Sequence, residues 1–275
     1  MTALTTTPAT TAQAPAPGSA ARPRFRSLRH ALVLAKRNLI KITRTPEQLI
    51  DVTLQPIIFL LLFVYVFGGA ISGGSHHHYL QFLLPGLMGQ SIAMGSIALG
   101  QNMNADIEKG VFDRFRTLPV WRPAALVGMI FGDVLRYILA ATTIMVVGLI
   151  LGFRPEGGVV GVIAGIALLV VFSFAFSWVW TMFGLFLRSE KSVMGVSMLV
   201  LFPLTFLSNV FVEPSTMPGW LQGFVSVNPV SHLVTAIRSV MAGSWNMGEV
   251  LWTLIASAAL VAVFGTITMR LYNRK

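Results

Sequence analysis

The chain has 275 residues, 55% of them hydrophobic and only 11% charged, with a mean hydropathy of +0.74. A soluble domain of this size has too little interior for so much apolar surface, and its charged fraction is nearer a quarter, so the composition reads as an all-α integral membrane protein. The net charge of +10 does not point to nucleic acid, because the basic residues lie in the tail and short loops; the absence of cysteine excludes disulfides, thiolate metal sites and cysteine nucleophiles.

Residues 1–27 are read as a disordered cytoplasmic tail, dominated at first by Ala, Thr and Pro. No basic stretch leads an apolar core there, so a cleaved signal peptide is not expected. From Leu28 the pattern changes. Leu28, Leu32, Ala35, Leu39 and Ile42 form a stripe, with Arg29, Lys36, Arg37 and Lys41 mostly away from it, which predicts an amphipathic helix at the membrane interface. Thr45-Pro-Glu47-Gln48 then has a capping-box pattern with proline at the first helical position, restarting the helix toward the first span. This segment serves either as a basic anchor or as a contact for a motor subunit.

Residues 28–275 form one six-span domain. Six apolar blocks are long enough to cross a membrane, at about 52–71, 80–101, 124–151, 159–187, 192–211 and 249–269. The third and fourth, at about 42 Å as helix, must tilt or project from the bilayer. Of the 20 Lys and Arg, only Arg154 and Arg238 fall on the side opposite the tail, and Arg136 lies within the third block. Both termini are therefore expected in the cytoplasm.

His76-His-His78 follows the first block in a short outer loop; adjacent histidines seldom converge on one ion, so a solvated loop is expected and no metal site. Met88, Gln90, Ser91, Met94 and Ser96 give the second block a soft, partly polar character that suits either a greasy substrate or helix packing. After it comes a charged segment, 106–119, where Ile107, Val111, Phe115 and Leu118 recur at helical spacing as one apolar seam. Glu108, Lys109, Asp113 and Arg116 occupy the rest of the cylinder. A loop that only reverses the chain needs no such seam, so this helix is expected to dock against another protein on the cytoplasmic side.

Asp133 and Arg136 share a helical face in the third block, and mutual pairing is expected because an unpaired central charge costs about 2.5–3.5 kcal/mol on insertion scales. A position near the headgroups or a proton-relay role are the alternatives. Gly128 and Gly132, and Gly157, Gly161 and Gly165, make small-residue faces for close helix contact. Residues 212–248 hold two apolar stretches too short to cross, broken by Pro214, Pro218 and Pro229 and carrying His232 and Arg238. They predict an outer re-entrant helical hairpin, either an exit structure or a packing element. No nucleotide-binding loop, zinc-protease motif or serine-nucleophile elbow occurs.

Four stretches together resemble the permease subunits of type-2 ABC exporters, particularly the daunorubicin-resistance-like group. They are Arg44 to Asp51; Glu108 to Val120; Phe202 to Val212 with Met217 to Trp220; and Asn228 to Arg238. Glu108, Gly110, Leu118 and Pro119 stand in the places of that family's coupling helix, and Asn228, Pro229 and Arg238 in those of its hairpin motif. Trp121 and the triple histidine depart from the pattern. The resemblance covers the chain from about residue 28 to its end. It implies a plasma-membrane permease that moves hydrophobic drugs, antibiotics or lipids outward and is not itself catalytic. It further implies a separate ABC ATPase in two copies, which carries ATP and Mg, and a second permease, expected to be the same chain. The permease of a lipid-linked polysaccharide exporter is the alternative within the class. A membrane-embedded lipid-modifying enzyme, or a scaffold, is the alternative outside it.

Overall fold

The computed structural model describes the backbone of residues 46–71, 76–110 and 124–274, and the side chains of 54–69, 76–110 and 128–272. The interfacial helix expected over 28–43 and most of the docking helix lie outside these residues. What is described is helical, with no strand among the described residues.

Helix α1 comprises Pro46–Leu62, a wider π-turn at Phe63–Phe67 and Gly68–Ile71. Then follow α2 (His76–Glu108), α3 (Ala124–Ile150), α4 (Gly158–Phe186) and α5 (Glu190–Phe206). Two short helices, α6 (Gly219–Val225) and α7 (Pro229–Met241), precede α8, which runs through Met247–Leu260, a π-turn at Val261–Gly265 and Thr266–Arg274. Among the described residues, α2, α3 from Gly128, α4 and α8 are long and apolar enough to cross a membrane; the described apolar part of α1, Leu54–Phe67, is shorter.

Two expectations change. The fifth block was expected to span 192–211, but α5 has 17 residues and stops at Phe206. Side chains just beyond it compete for the backbone: Ser208 Oγ donates to Thr205 O at 2.5 Å and accepts from Val210 N at 3.3 Å, and Asn209 turns away to Thr235 Oγ1 at 2.8 Å. Such local bonds offer the chain a turn in place of a further helical turn. The three histidines are the first turn of α2, not a loop, and the His76 ring lies 2.9 Å from Val64 O in the π-turn of α1.

α2 is the central helix, buried along most of its length and touching α1, α3, α4, α5 and α7. Between apolar helices in lipid there is no hydrophobic drive, so close approach has to supply the attraction. The glycines supply it. Gly100 of α2 lies against Trp180 of α4, where a Cβ would fall 2.5 Å from the Trp180 carbonyl oxygen, and Gly184 lies equally close on Gly100. Gly157 and Gly161 bring the start of α4 onto the Val240 carbonyl at the end of α7, with Gly165 on Met241 and Ile237. Gly128 and Gly132 are also buried, in α3. The indole of Trp180 donates to Ser96 Oγ at 2.6 Å, joining α4 to α2 in the interior.

Gly161→Ala pushes a methyl into the Val240 carbonyl, and overpacking of this kind costs about 1–3 kcal/mol. Gly223→Ala on α6 meets nothing within 4 Å. Thermal unfolding of the two variants in mild detergent is expected to show a lowered midpoint for the first and little change for the second.

Candidate functional site

The packed side of α2 faces α4; its other side borders a cavity of about 480 Å³ between α1, α2, α3 and α5. Gln90, Met94, Ala98 and Gln101 recur every three or four residues and so share the α2 face that lines it. Asn102 adds a second amide near Gln101. Phe59 and Pro56 of α1, and Met194 and Met198 of α5, form the opposite wall, with Glu190 at the start of α5. Thioether and aromatic walls adapt to varied apolar shapes, whereas the amides can orient a bound molecule. The expected lining of the second block therefore divides: Gln90, Ser91 and Met94 face the cavity, while Met88 is in the core and Ser96 is held by Trp180.

Asp133 and Arg136 are both buried on α3, with Arg136 Nη2 3.6 Å from Asp133 Oδ1. The same Nη2 donates to Gly95 O of α2 at 2.6 Å, and the guanidinium lies beside the Tyr137 ring. Arg136 thus forms part of the cavity wall with its charge matched by its neighbour on the helix.

At the end of the bundle that carries His76, α6 and α7 form a hairpin built by its polar residues. Asn228 caps α7, accepting from Val230 N at 2.9 Å while its amide nitrogen donates to Leu204 O of α5 at 2.8 Å. Pro229 follows at the first helical position, where no N–H is needed. Gly243, at φ 76°, closes α7, with Ser244 N on Ser239 O at 2.9 Å and Gly243 N on Val240 O at 3.2 Å, the Schellman pattern.

Arg238 ties this helix to two other elements. Its Nε donates to Phe82 O of α2 at 2.9 Å, its Nη2 donates to Val210 O at 3.0 Å, and its charge lies 3.6 Å from the centre of the Phe82 ring. Phe82 belongs to the turn before Pro85, where the proline interrupts the helical ladder. His232 contacts Glu249 Oε2 of α8 through Nδ1 at 2.6 Å, donates from Nε2 to Ser226 O at 2.8 Å, and stacks on Trp252.

Of the expected docking residues, Ile107, Glu108 and Gly110 are described. Ile107 and Glu108 belong to the last turn of α2, so that helix runs into the start of the docking segment without a break until Gly110, at φ 63°. Ile107 packs against the buried cluster of Met103 and Leu185, as do Leu271 and Tyr272. Val111, Phe115, Arg116, Leu118 and Pro119 lie outside the described residues, as do Arg37 and Lys41 and the side chain of Glu47.

The ABC-2 type transporter profile matches residues 29–242. The chain belongs to the ABC-2 type transporter family. It is 50% identical over 242 residues to the daunorubicin resistance ABC transporter permease protein DrrB1 of Streptomyces coeruleorubidus, covering 87% of this chain and 84% of that one. It is 25% identical over 232 residues to a probable doxorubicin resistance ABC transporter permease protein, DrrC, of Mycobacterium tuberculosis, covering 84% of each. The inner membrane transport permease YadH of Escherichia coli is 25% identical over 226 residues, covering 80% of this chain and 82% of the relative.

Within this ABC-2 chain, sequence reasoning had picked out Arg238 but not its partners, and it missed Gln55, Gln101, Asn102 and Glu190 as cavity residues. The spacing of Gln90 and Gln101, eleven apart on an otherwise apolar face, was the available signal. Replacing Arg238 by Met keeps bulk but removes the side-chain donor of Val210 O and a second donor to the helical Phe82 O, and leaving a buried carbonyl unpaired costs about 1–3 kcal/mol. Arg238→Met is expected to lower the thermal midpoint in detergent and to speed amide hydrogen exchange over 207–213, with Arg238→Lys in between.

Proposed function

We propose that this chain is the permease subunit of an ATP-driven exporter that carries hydrophobic, drug-like compounds out of the cell, powered by a separate ABC ATPase. The observation that carries the reading is the cavity on one side of α2, walled by methionines and aromatics and furnished with the amides of Gln90, Gln101 and Asn102. Membership of the ABC-2 family, and relatives named for daunorubicin and doxorubicin resistance, support the drug class and the separate motor.

In this reading α1 and α5 complete a set of six spans in the cell's inner membrane, with both termini in the cytoplasm, as the distribution of Lys and Arg supports. The hairpin then lies at the outer side. Two copies of the chain join two ATPase subunits, and ATP and Mg reside on the ATPase. The seam of Ile107, Val111, Phe115 and Leu118 docks on the motor, with Glu108, Gly110, Arg116 and Pro119 shaping the segment. Arg37 and Lys41 belong to a helix at the inner headgroups, and Glu47 lies not in that helix but in the first turn of α1 that follows it.

The test is purification of the chain from its own membranes in gentle detergent, followed by reconstitution in liposomes. An ATPase of about one nucleotide-binding domain is expected to accompany the wild-type chain and to be lost with Phe115→Asp. Loss of neither binding nor transport in that variant would rule out the seam as the docking site. Met94→Trp, which fills the cavity, is expected to keep the ATPase bound and to raise the daunorubicin concentration for half-maximal transport about tenfold, equivalent to ~1.4 kcal/mol. Unaltered transport in Met94→Trp would remove the cavity from the substrate path.

A further inference from the structure

On the exporter reading, the docking end of α2 has to pass its movement to the rest of the bundle, and one buried side chain stands where it must do so. Ser96, Gly100 and Asn104 recur every four residues on the face of α2 that meets α4. Opposite them stand Trp180, Gly184 and Leu187. Asn104 is buried, and its amide nitrogen donates to Gly184 O at 3.0 Å and to Leu187 O at 2.7 Å, two carbonyls at the C-terminal end of α4. Both partners are pure acceptors, so only the NH2 group can face them and the amide orientation is fixed. These carbonyls are among those a helix end leaves without intrahelical partners.

We propose that Asn104 is a positioning residue that clamps the docking end of α2 to α4, so that the two helices move as one lever. Three features of the contact support a single body. Gly100 and Gly184 hold the two backbones at a separation that no other residue tolerates, and the Trp180 indole bonds to Ser96 one turn further along. Ile107, the first residue of the docking seam, packs into the cluster of Met103 and Leu185 beside the clamp. The far end of α4 grips the hairpin: Gly157 N donates to Met241 O at 2.8 Å, and Gly157 and Gly161 lie on the Val240 carbonyl. The lever therefore reaches the hairpin twice, through α2 at Phe82 with Arg238 and through α4 at Gly157 with α7. Leu187 also caps α4 just before Ser189 caps α5, so the clamp fixes the point from which the α5 wall of the cavity departs.

The experiment uses the complex of this chain with its co-purifying ATPase in liposomes, with daunorubicin as the transported probe. Asn104→Leu keeps the volume and removes both donors. It is expected to leave the ATPase bound and hydrolysing while daunorubicin moved per ATP falls about 2- to 30-fold, the range for mutations within a coupling network. The ATP-dependent change in hydrogen exchange over 219–241 is expected to shrink in parallel. A residue that served stability alone would lower hydrolysis and transport together at an unchanged ratio, and that result would overturn the proposal.

Because the chain has no cysteine, Met103→Cys with Leu185→Cys provides the only two thiols on it. Joining them with a short thiol cross-linker is expected to leave transport intact, since the two helices do not move apart. Arrest of transport by the cross-link would also overturn the proposal, and this arm decides the matter if Asn104→Leu does not fold. A wild-type complex that hydrolyses ATP without moving daunorubicin would count against the drug-export reading, while the hydrogen-exchange comparison would still report on the clamp.

Discussion

The structure turns on the guanidinium of Arg238. Where the chain leaves a helix among buried side chains, as at Asn209 and Val210 after α5, each unpaired backbone group costs free energy that hydrocarbon does not return. Arg238 meets this with one side chain. It donates to Phe82 O in the turn of α2 before Pro85 and to a carbonyl of the strap that follows α5, and it lays its charge on the Phe82 ring. The strap can pass there because Gly86 has no side chain; a Cβ on it would lie 2.6 Å from Val210 O. Removing the arginine would thus loosen an anchor shared by α2, the strap and α7, leaving pairwise bonds such as Tyr79 Oη to Phe211 O and Asn209 Nδ2 to Thr235 Oγ1.

The bundle is asymmetric about α2. On the α4 side, small residues bring backbones into contact and polar side chains are spent on the neighbouring helix: Ser96 on Trp180, Asn104 on the end of α4, Ser177 on Tyr137. α4 carries no charged residue over its 29 positions, which suits a helix that has to lie flush among others. On the α1 and α5 side a cavity remains between the helices, walled by Phe59, Met194 and Met198. Packed interiors transmit displacement because they resist deformation, whereas a gap can change its volume. Rigidity and adaptability are therefore placed on opposite faces of one helix.

Most of the helical pattern was legible in the sequence, because twenty or so consecutive apolar residues admit few other structures in a membrane. The glycines at 157, 161 and 165 were legible as a close-packing face, but not that their partner would be α7, since spacing on one helix says nothing about which helix fills the groove. The end of α5 was misjudged because Leu207 to Phe211 is apolar enough to continue a span; the turn comes from the side-chain bonds of Ser208 and Asn209. The histidines were placed in a loop because composition does not reveal a helix that begins before its apolar part. The cavity was legible only in part: Gln90, Ser91 and Met94 stood out as a soft, partly polar lining, whereas the walls opposite them did not. Its walls are made of Met, Phe and Leu, which the bilayer demands everywhere, and only the register of Gln90 with Gln101 sets that face apart.

That register bears on how such a cavity can select. A hydrophobic compound reaching it from the membrane leaves an environment as apolar as the walls, so burial against Phe59 or Met198 brings almost no net gain. Discrimination has to come from groups that lipid tails lack. The charge of Arg136 is balanced within its own helix by Asp133 and further held by Gly95 O, so this wall presents little net field. A buried pair of this kind is costly to form and gives little stability by itself. What it leaves on the α3 wall is polarity with its charge balanced, together with the amides of Gln90, Gln101 and Asn102 and, at the start of α5, the side chain of Glu190. Such a surface favours apolar molecules that carry hydrogen-bonding groups over plain hydrocarbon. A transporter embedded in lipid has to draw that distinction if it is to export its substrate and not the membrane around it.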